Sequence, residues 1–280
     1  MTVDPTDLLE LACRLAISAG DEVQVRREAL GVGFVVGEGL GVEAKSSSVD
    51  LVTEVDRAAE KTIVRGLADA RPNDGVLGEE GAAVTGTSGV RWIIDPIDGT
   101  TNFVYGIPSY SVSIAAEVDG VVVAGAVYDP AGEVLFAAAM HRGATRNGDP
   151  IACTSPRLPR GGSHLAQALV ATGFGYMPER RRGQAEVLVA LIPQIRDVRR
   201  FGSAALDLCS VACGRVDAYF EKGLNHWDFA AGRLIASEAG AIVGDLRGGP
   251  GDSTFLIAAA PHVFDPLREA LRSAEADTRP

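Results

Sequence analysis

The chain has 280 residues, 46% of them hydrophobic, which is enough to bury one large core or two packed subdomains and too apolar for a disordered chain. A formal charge of −11, from 26 Lys and Arg against 37 Asp and Glu, argues against a basic nucleic-acid-binding surface and is compatible with a binder of cations. The start, MTVDPTDLLELACRLA, has no basic region before a long apolar run, and no stretch of about 18 apolar residues occurs, so neither a signal peptide nor a membrane span is expected.

Asp4-Pro5 reads as an N-cap followed by proline at the first helical position, and Leu8, Leu9, Ala12, Leu15, Ala16, Ala19 and Val23 then recur at helical spacing to about Ala29. Gly31 to Gly41 is glycine-rich around Phe34-Val35-Val36 and predicts a hairpin or mobile loop. A second helix is predicted from about Thr53 to Ala70, with Val55, Ala59, Ile63 and Leu67 on one face. From Val90 the period shifts toward strands: Val90–Asp95, Tyr110–Val118, Val121–Tyr128 and Glu133–Ala139. Asp119-Gly120 is a strong hairpin turn, and the linked strands predict an antiparallel sheet. The pattern breaks over Arg142–Asp149, at Gly143 and Asn147-Gly148.

The second half alternates strand and helix. Strands are expected at Leu169–Thr172, Val216–Glu221 and Thr254–Ala260, and helices at Ser203–Cys213, Asp228–Ala239 and Val263–Ala274. The charge run Glu179-Arg180-Arg181-Arg182 reads as a solvated helix start, with a partner-binding patch as the sharper alternative. The fold class is therefore α+β, an antiparallel-sheet half over residues 1–145 followed by a mixed α/β half over 146–280. Cys13, Cys153, Cys209 and Cys213 form no CxxC pair and have no His at ligand spacing. They are expected to be core thiols in a reducing cytoplasm, with zinc as the weaker alternative.

The segment that carries chemistry is WIIDPIDGTTNF, Trp92 to Phe103. An apolar strand there delivers Asp95 and Asp98 into a turn, with Pro96 preventing a regular helix between them. A bland reading exists, because Asp, Pro, Gly, Thr and Asn are all turn and cap residues. Two other acids also follow apolar segments: Glu79 in Gly78-Glu79-Glu80 and Asp228 in His226-Trp227-Asp228. If these segments meet, their carboxylates repel one another and need a counter-charge, which hard dications with oxygen ligands supply. Thr100 offers a hydroxyl, and Gly99 lets backbone N–H groups approach a phosphate. That combination fits metal-assisted phosphate ester hydrolysis. Three unrelated acidic turns are the alternative.

Asp95-Pro96-Ile97-Asp98-Gly99-Thr100, with Gly78-Glu79-Glu80 before it and Trp227-Asp228 and Glu238-Ala239-Gly240 after it, resembles the inositol monophosphatase family of magnesium-dependent, lithium-sensitive phosphatases. The resemblance spans about Lys45 to Asp245 in matching order. It implies a layered α-β-α-β-α sandwich, a homodimer, and two or three Mg²⁺ ions held by Glu79, Asp95, Asp98, Asp228 and the Ile97 carbonyl. It implies that Thr100, with Glu79, activates the attacking water and that Asp56 supports the threonine. Lys45 matches a basic residue near the phosphate, joined on the substrate side by Ile97, Gly99, Thr100 and Asp228. Gly202, Ser203, Ala204 and Glu221 match the surface that holds the inositol ring, with Arg199 close by. Glu79 rather than the adjacent Glu80 matches the family position.

The resemblance implies a Mg²⁺-dependent phosphate monoesterase acting on myo-inositol 1-phosphate or a similar phosphorylated polyol. Fructose 1,6-bisphosphate, histidinol phosphate and adenosine 3′,5′-bisphosphate are the rival substrates. A rival of another class is a regulatory protein that keeps the fold and binds a macromolecule through Arg180–Arg182 or Arg199-Arg200. No nucleic-acid or membrane partner is expected.

Overall fold

The computed structural model describes residues 4–29, 43–44, 51–52, 54–153 and 164–276; the Gly31–Gly41 stretch, Lys45 and Thr53 lie outside them. Helix α1 (Pro5–Ala29) begins as its sequence directs, with Asp4 Oδ1 accepting from Thr6 N at 2.9 Å and Pro5 at the first helical position. A short antiparallel pair, β1 (Glu43–Ala44) and β2 (Leu51–Val52), precedes helix α2 (Glu54–Ala70). The buried stripes Leu8, Leu15 and Ala19 on α1 and Val55, Ala59, Ile63 and Leu67 on α2 recur at helical spacing.

The large sheet follows: β3 (Gly75–Gly78), β4 (Ala83–Val84), β5 (Val90–Asp98), helix α3 (Thr100–Tyr105), β6 (Ser111–Val118), β7 (Val121–Asp129), β8 (Val134–Ala139), β9 (Ala144–Arg146) and β10 (Asp149–Ile151). Its eight strands lie in the order β10-β9-β8-β7-β6-β5-β3-β4. Only β3 and β5 run parallel among these pairs. The break at Arg142–Asp149 proves to be a hairpin. Asn147 and Gly148 both take left-handed backbone, φ 51° and 84°, as a two-residue turn between twisted strands requires. This sheet therefore continues past residue 145 to Ile151.

The second half contributes β11 (Leu169–Thr172), α4 (Pro178–Leu191), β12 (Asp197–Arg199), α5 (Ala204–Ala212), β13 (Ala218–Glu221), α6 (His226–Glu238), β14 (Ile242–Gly244), β15 (Leu256–Ala259) and α7 (Pro261–Ser273). Its five-stranded sheet, β12-β11-β13-β15-β14, is mixed: β11 runs parallel to β12 and β13, and the other pairs are antiparallel. At three residues each, β12 and β14 are too short to show alternation in sequence.

Helices α1 and α2 cover one face of the large sheet, α5 and α6 lie between the sheets, and α4 and α7 cover the far face of the smaller one. The result is the α-β-α-β-α sandwich. The Trp92–Ile94 run of β5 is apolar because it is buried on both faces: Trp92 and Ile94 pack beneath α1, while Ile93 joins the core between the sheets. Helix α6 comes close enough to β7 that a methyl group on Gly125 would stand 2.9 Å from Ala231 Cα. The four cysteines are free thiols, Cys153 and Cys209 buried and Cys13 and Cys213 half-buried. Among the described residues no helix is long and apolar enough to cross a membrane.

Candidate active site

Asp95 and Asp98 are three apart, so on a regular strand they would point to opposite faces. They do not, because β5 carries a bulge: Asp95 pairs with Ser113 and Asp98 with Ser111, a step of three residues against two. The extra residue resets the alternation, and Pro96 sits where the ladder is already interrupted. Both carboxylates are buried and line one cavity of about 440 Å³. Glu79, Thr100, Glu221 and Asp228 line it too.

The other acids arrive on other elements. Glu79 follows β3 directly, and its N–H donates to Ile94 O at 3.2 Å, one residue before Asp95. The adjacent Glu80 instead forms an ion pair with Arg57 of α2 at 3.8 Å and does not line the cavity. Asp228 lies in the first turn of α6, where the Asn225 N–H donates to its Oδ2 at 2.7 Å in a reciprocal capping box. That helix begins at His226, two residues before the sequence reading placed it, so the acid occupies the third helical position. Asp98 is the most tightly held: Ser203 Oγ donates to its Oδ2 at 2.6 Å and Ala205 N to the same oxygen at 2.7 Å.

Burial and mutual repulsion raise the pKa of Asp95, Asp98 and Asp228 above the usual carboxylate value. Asp95 is pushed well above the carboxylate range by desolvation and then by Glu79, Asp98, Asp228 and Asp56. Asp228 is raised by burial and then by Asp98. Asp98 rises to about 6, burial outweighing the hydrogen bonds from Ser203 and Ala205. Among the described residues no three His, Cys, Asp or Glu side chains converge as a ready-made metal cage. The fit to hard dications rests on the donor set. It offers clustered carboxylate oxygens at odds with one another, an Asp95 Oδ1 that is buried without a hydrogen-bond partner, and no soft ligand.

Thr100 sits two residues past the strand, at the start of α3. Its hydroxyl lies 3.0 Å from Ile97 O and 3.3 Å from Asp56 Oδ2, two acceptors for one proton. Gly99 caps α3 with φ 95°, and a side chain there would meet Ser109 O at 3.0 Å and Gly202 O at 3.1 Å. Asn102 joins the two halves of the molecule at this point, donating to Ser109 O at 2.7 Å and Phe201 O at 2.6 Å. Lys45, expected near a phosphate, lies outside the described residues.

The far end of the cavity is built differently. Glu221, at the end of β13, accepts from Tyr219 Oη at 2.7 Å and is raised to about 7 by burial, against that hydrogen bond and the nearby charges of Arg200 and Arg180. Gly173 makes room for its carboxylate, since any side chain there would collide with it. Gly202, Ser203 and Ala204 line the cavity, and the Ser203 hydroxyl is committed within the protein. It donates to Asp98 and caps α5 by accepting from Leu206 N at 3.1 Å, so it braces an acid rather than offering a free hydroxyl to a ring.

Two expectations about arginines change. Arg199 pairs with Asp197 at 2.6 Å on the surface and does not line the cavity, whereas Arg200 does. In the run Arg180–Arg182, Arg181 and Arg182 are exposed, but Arg180 turns into the cavity between Gly175 and Gly223. Sequence reasoning missed Asp207 entirely. It is buried in the first turn of α5 and raised well above the carboxylate range by desolvation and by Glu221. The Gly173-Phe174-Gly175 bend after β11 was the available signal for this end, a glycine pair breaking directly from a strand.

Comparison with known proteins agrees with this geometry. The sequence pattern of the inositol monophosphatase family matches residues 4–275. The chain is 48% identical over 282 residues to the inositol-1-monophosphatase SuhB of Mycobacterium tuberculosis, covering 96% of this chain and 94% of that one. It is 39% identical over 274 residues to the Nus factor SuhB of Pasteurella multocida, with 96% and 97% covered. The crystal structure of the extragenic suppressor protein suhB of Bartonella henselae superposes with a TM-score of 0.85 at 36% identity, over 95% of this chain and 98% of that one. With buried acids delivered from both halves of the fold into one cavity, and this match along nearly its whole length, the chain belongs to the inositol monophosphatase family.

Proposed function

We propose that this chain is a Mg²⁺-dependent phosphate monoesterase that hydrolyses myo-inositol 1-phosphate or a closely similar polyol phosphate, working as a cytoplasmic homodimer. The observation that carries the reading is the set of Glu79, Asp95, Asp98 and Asp228 around one cavity beside the Thr100–Asp56 hydrogen bond. Those four carboxylates and the Ile97 carbonyl would hold two or three Mg²⁺ ions. The bound cations would supply counter-charge to the acids and the phosphate, and acidity to water.

The chain's own groups do the rest. Asp56 draws the Thr100 proton toward itself, leaving the hydroxyl oxygen's lone pairs to accept from a water. Glu79 takes that water's other proton as its oxygen bonds phosphorus in line. The ester P–O bond breaks, the leaving oxygen takes a proton from a solvent water, Glu79 returns its proton to the resulting hydroxide, and the products are a free alcohol and inorganic phosphate. Glu221 accepts hydrogen bonds from vicinal hydroxyls, which favours a polyol over an aromatic alcohol. Gly202 and Ala204 allow the ring to lie against backbone. A phosphate-release assay over a panel of inositol 1-phosphate, fructose 1,6-bisphosphate, histidinol phosphate and adenosine 3′,5′-bisphosphate tests the assignment. The inositol ester should have the highest kcat/KM, and LiCl should inhibit beyond an equal KCl control at fixed Mg²⁺. No released phosphate from any ester at saturating Mg²⁺ sinks the reading.

The name of the Pasteurella relative favours a second role beside the first, with a macromolecular partner. Arg181 and Arg182 are the exposed part of the basic run that could serve it. A site variant such as Asp98→Asn that loses phosphate release but keeps partner binding would separate the two.

A further inference from the structure

Helix α2 braces residues that line the cavity at two places, of which Asp56, against Thr100, is the first. One turn further along, Glu60 is buried, 6% exposed, and points at the loop that carries Glu79. Its Oε2 accepts from Glu80 N at 2.9 Å and its Oε1 from Ala82 N at 3.0 Å. Gly78, just before Glu79, has no side chain where one would run into the Glu60 carboxylate. The Glu79 peptide is thus held from both sides, by Ile94 O of β5 on its own N–H and by Glu60 on the next N–H.

Asp56 and Glu60 stand four apart on α2, so they lie on the same face, one above the other. The upper one meets Thr100 and the lower one meets the Glu79 loop. We infer that Glu60 is a positioning residue: together with Asp56 it makes α2 a single rigid ruler that sets the separation of Thr100 and Glu79. This inference rests on the proposed roles of those two residues. Glu60 does not line the cavity, so it acts only through the backbone of the loop it grips.

The chain contains its own control. Glu238, at the end of α6, accepts from His141, Arg142 and Gly143 N–H groups at 2.8, 3.1 and 2.8 Å, a carboxylate gripping a loop in the same manner but away from the cavity. Glu60→Gln turns one acceptor into an NH₂ group that faces a backbone N–H, and Glu238→Gln does the same at the control loop. Mg²⁺ binding to each folded protein is measured by titration calorimetry, with kcat and KM alongside. Glu60→Gln should weaken Mg²⁺ binding and lower kcat by roughly 10- to 100-fold, as groups that orient ligands without touching the metal typically do. Its KM should stay within about twofold, because the ring end of the cavity is untouched. Glu238→Gln should lower the melting temperature and change neither.

If Glu60→Gln does not fold, Glu60→Asp keeps the charge but withdraws both oxygens by a methylene and carries the same expectation. Wild-type Mg²⁺ affinity in a folded Glu60 variant overturns the inference, as does an equal loss in Glu238→Gln. Wild-type protein that neither binds Mg²⁺ nor releases phosphate overturns the proposed function instead, so the two failures are distinguishable.

Discussion

The two ends of the cavity surround their buried acids with different partners. At the β5 end, acids stand beside acids: Asp95 is raised by burial and then by Glu79, Asp98, Asp228 and Asp56. At the β13 end arginines stand among the acids: burial raises Glu221 to about 7 against the Tyr219 hydrogen bond and the charges of Arg200 and Arg180, while Asp207 is raised by burial and then by Glu221. The first end has the character that the proposed dications would satisfy, and the second carries its own partial counter-charge. A phosphate ester carries both needs, a dianion to be met through cations and a neutral alcohol to be met by hydrogen bonds. The molecule separates them along one cavity.

The sharpest way to break this contrast is to remove an acid from the uncompensated end. Asp98→Asn should lower turnover by at least about 10³, roughly 4 kcal/mol of transition-state stabilisation, in a steady-state phosphate-release assay. Folding should survive, since the amide oxygen can still accept from Ser203 and Ala205 and one repelling charge is gone. The melting temperature in EDTA should therefore be unchanged or higher. Near-normal turnover would return this turn to a capping role.

Cation dependence follows in size. At a hundred times its dissociation constant, Mg²⁺ should stabilise wild type by about 2.7 kcal/mol relative to EDTA, read as a rise in melting temperature. The Asp98→Asn chain should show little of that rise. At the compensated end, Glu221→Gln should cost about 2 kcal/mol in kcat/KM for inositol phosphate and much less for an aryl phosphate, because a charged hydrogen bond to the ring is lost. Equal losses on both substrates would make Glu221 a structural residue.

The smallest effect concerns pH. Asp98 and Glu221 are raised to about 6 and about 7, so the metal-free folded chain holds protons that the unfolded chain has released. Proton uptake then favours the folded state, and metal-free stability should fall as pH rises from about 5 to about 8. Melts in EDTA across that window should drop by a few degrees. With Mg²⁺ present the trend should flatten or reverse, because cations bind the deprotonated acids. A metal-free melting temperature that climbs with pH would contradict the repulsion described here.

Much of the molecule was legible in residue order alone, and for local reasons. Asp4-Pro5, the periodic stripe of α1 and the Asp119-Gly120 turn act within a few residues, so they state their own structure. The acids were legible too, since the Asp95-Pro96-Ile97-Asp98-Gly99-Thr100 run is dense in groups with one joint use. Other features depend on partners far along the chain. The bulge that turns Asp95 and Asp98 to the same side exists only against Ser111 and Ser113 of β6. The choice between Glu79 and Glu80 was made by Arg57 and Glu60 of α2, twenty or so residues away in sequence but adjacent in space. Ser203 became a brace for Asp98 across 105 residues, and Arg180 left a solvated run for the cavity because Gly175 and Gly223 leave it a channel. Periodicity and motif record what a residue can do. Which residue does it is decided by tertiary contacts, because burial, hydrogen-bond partners and neighbouring charge are properties of the assembled fold.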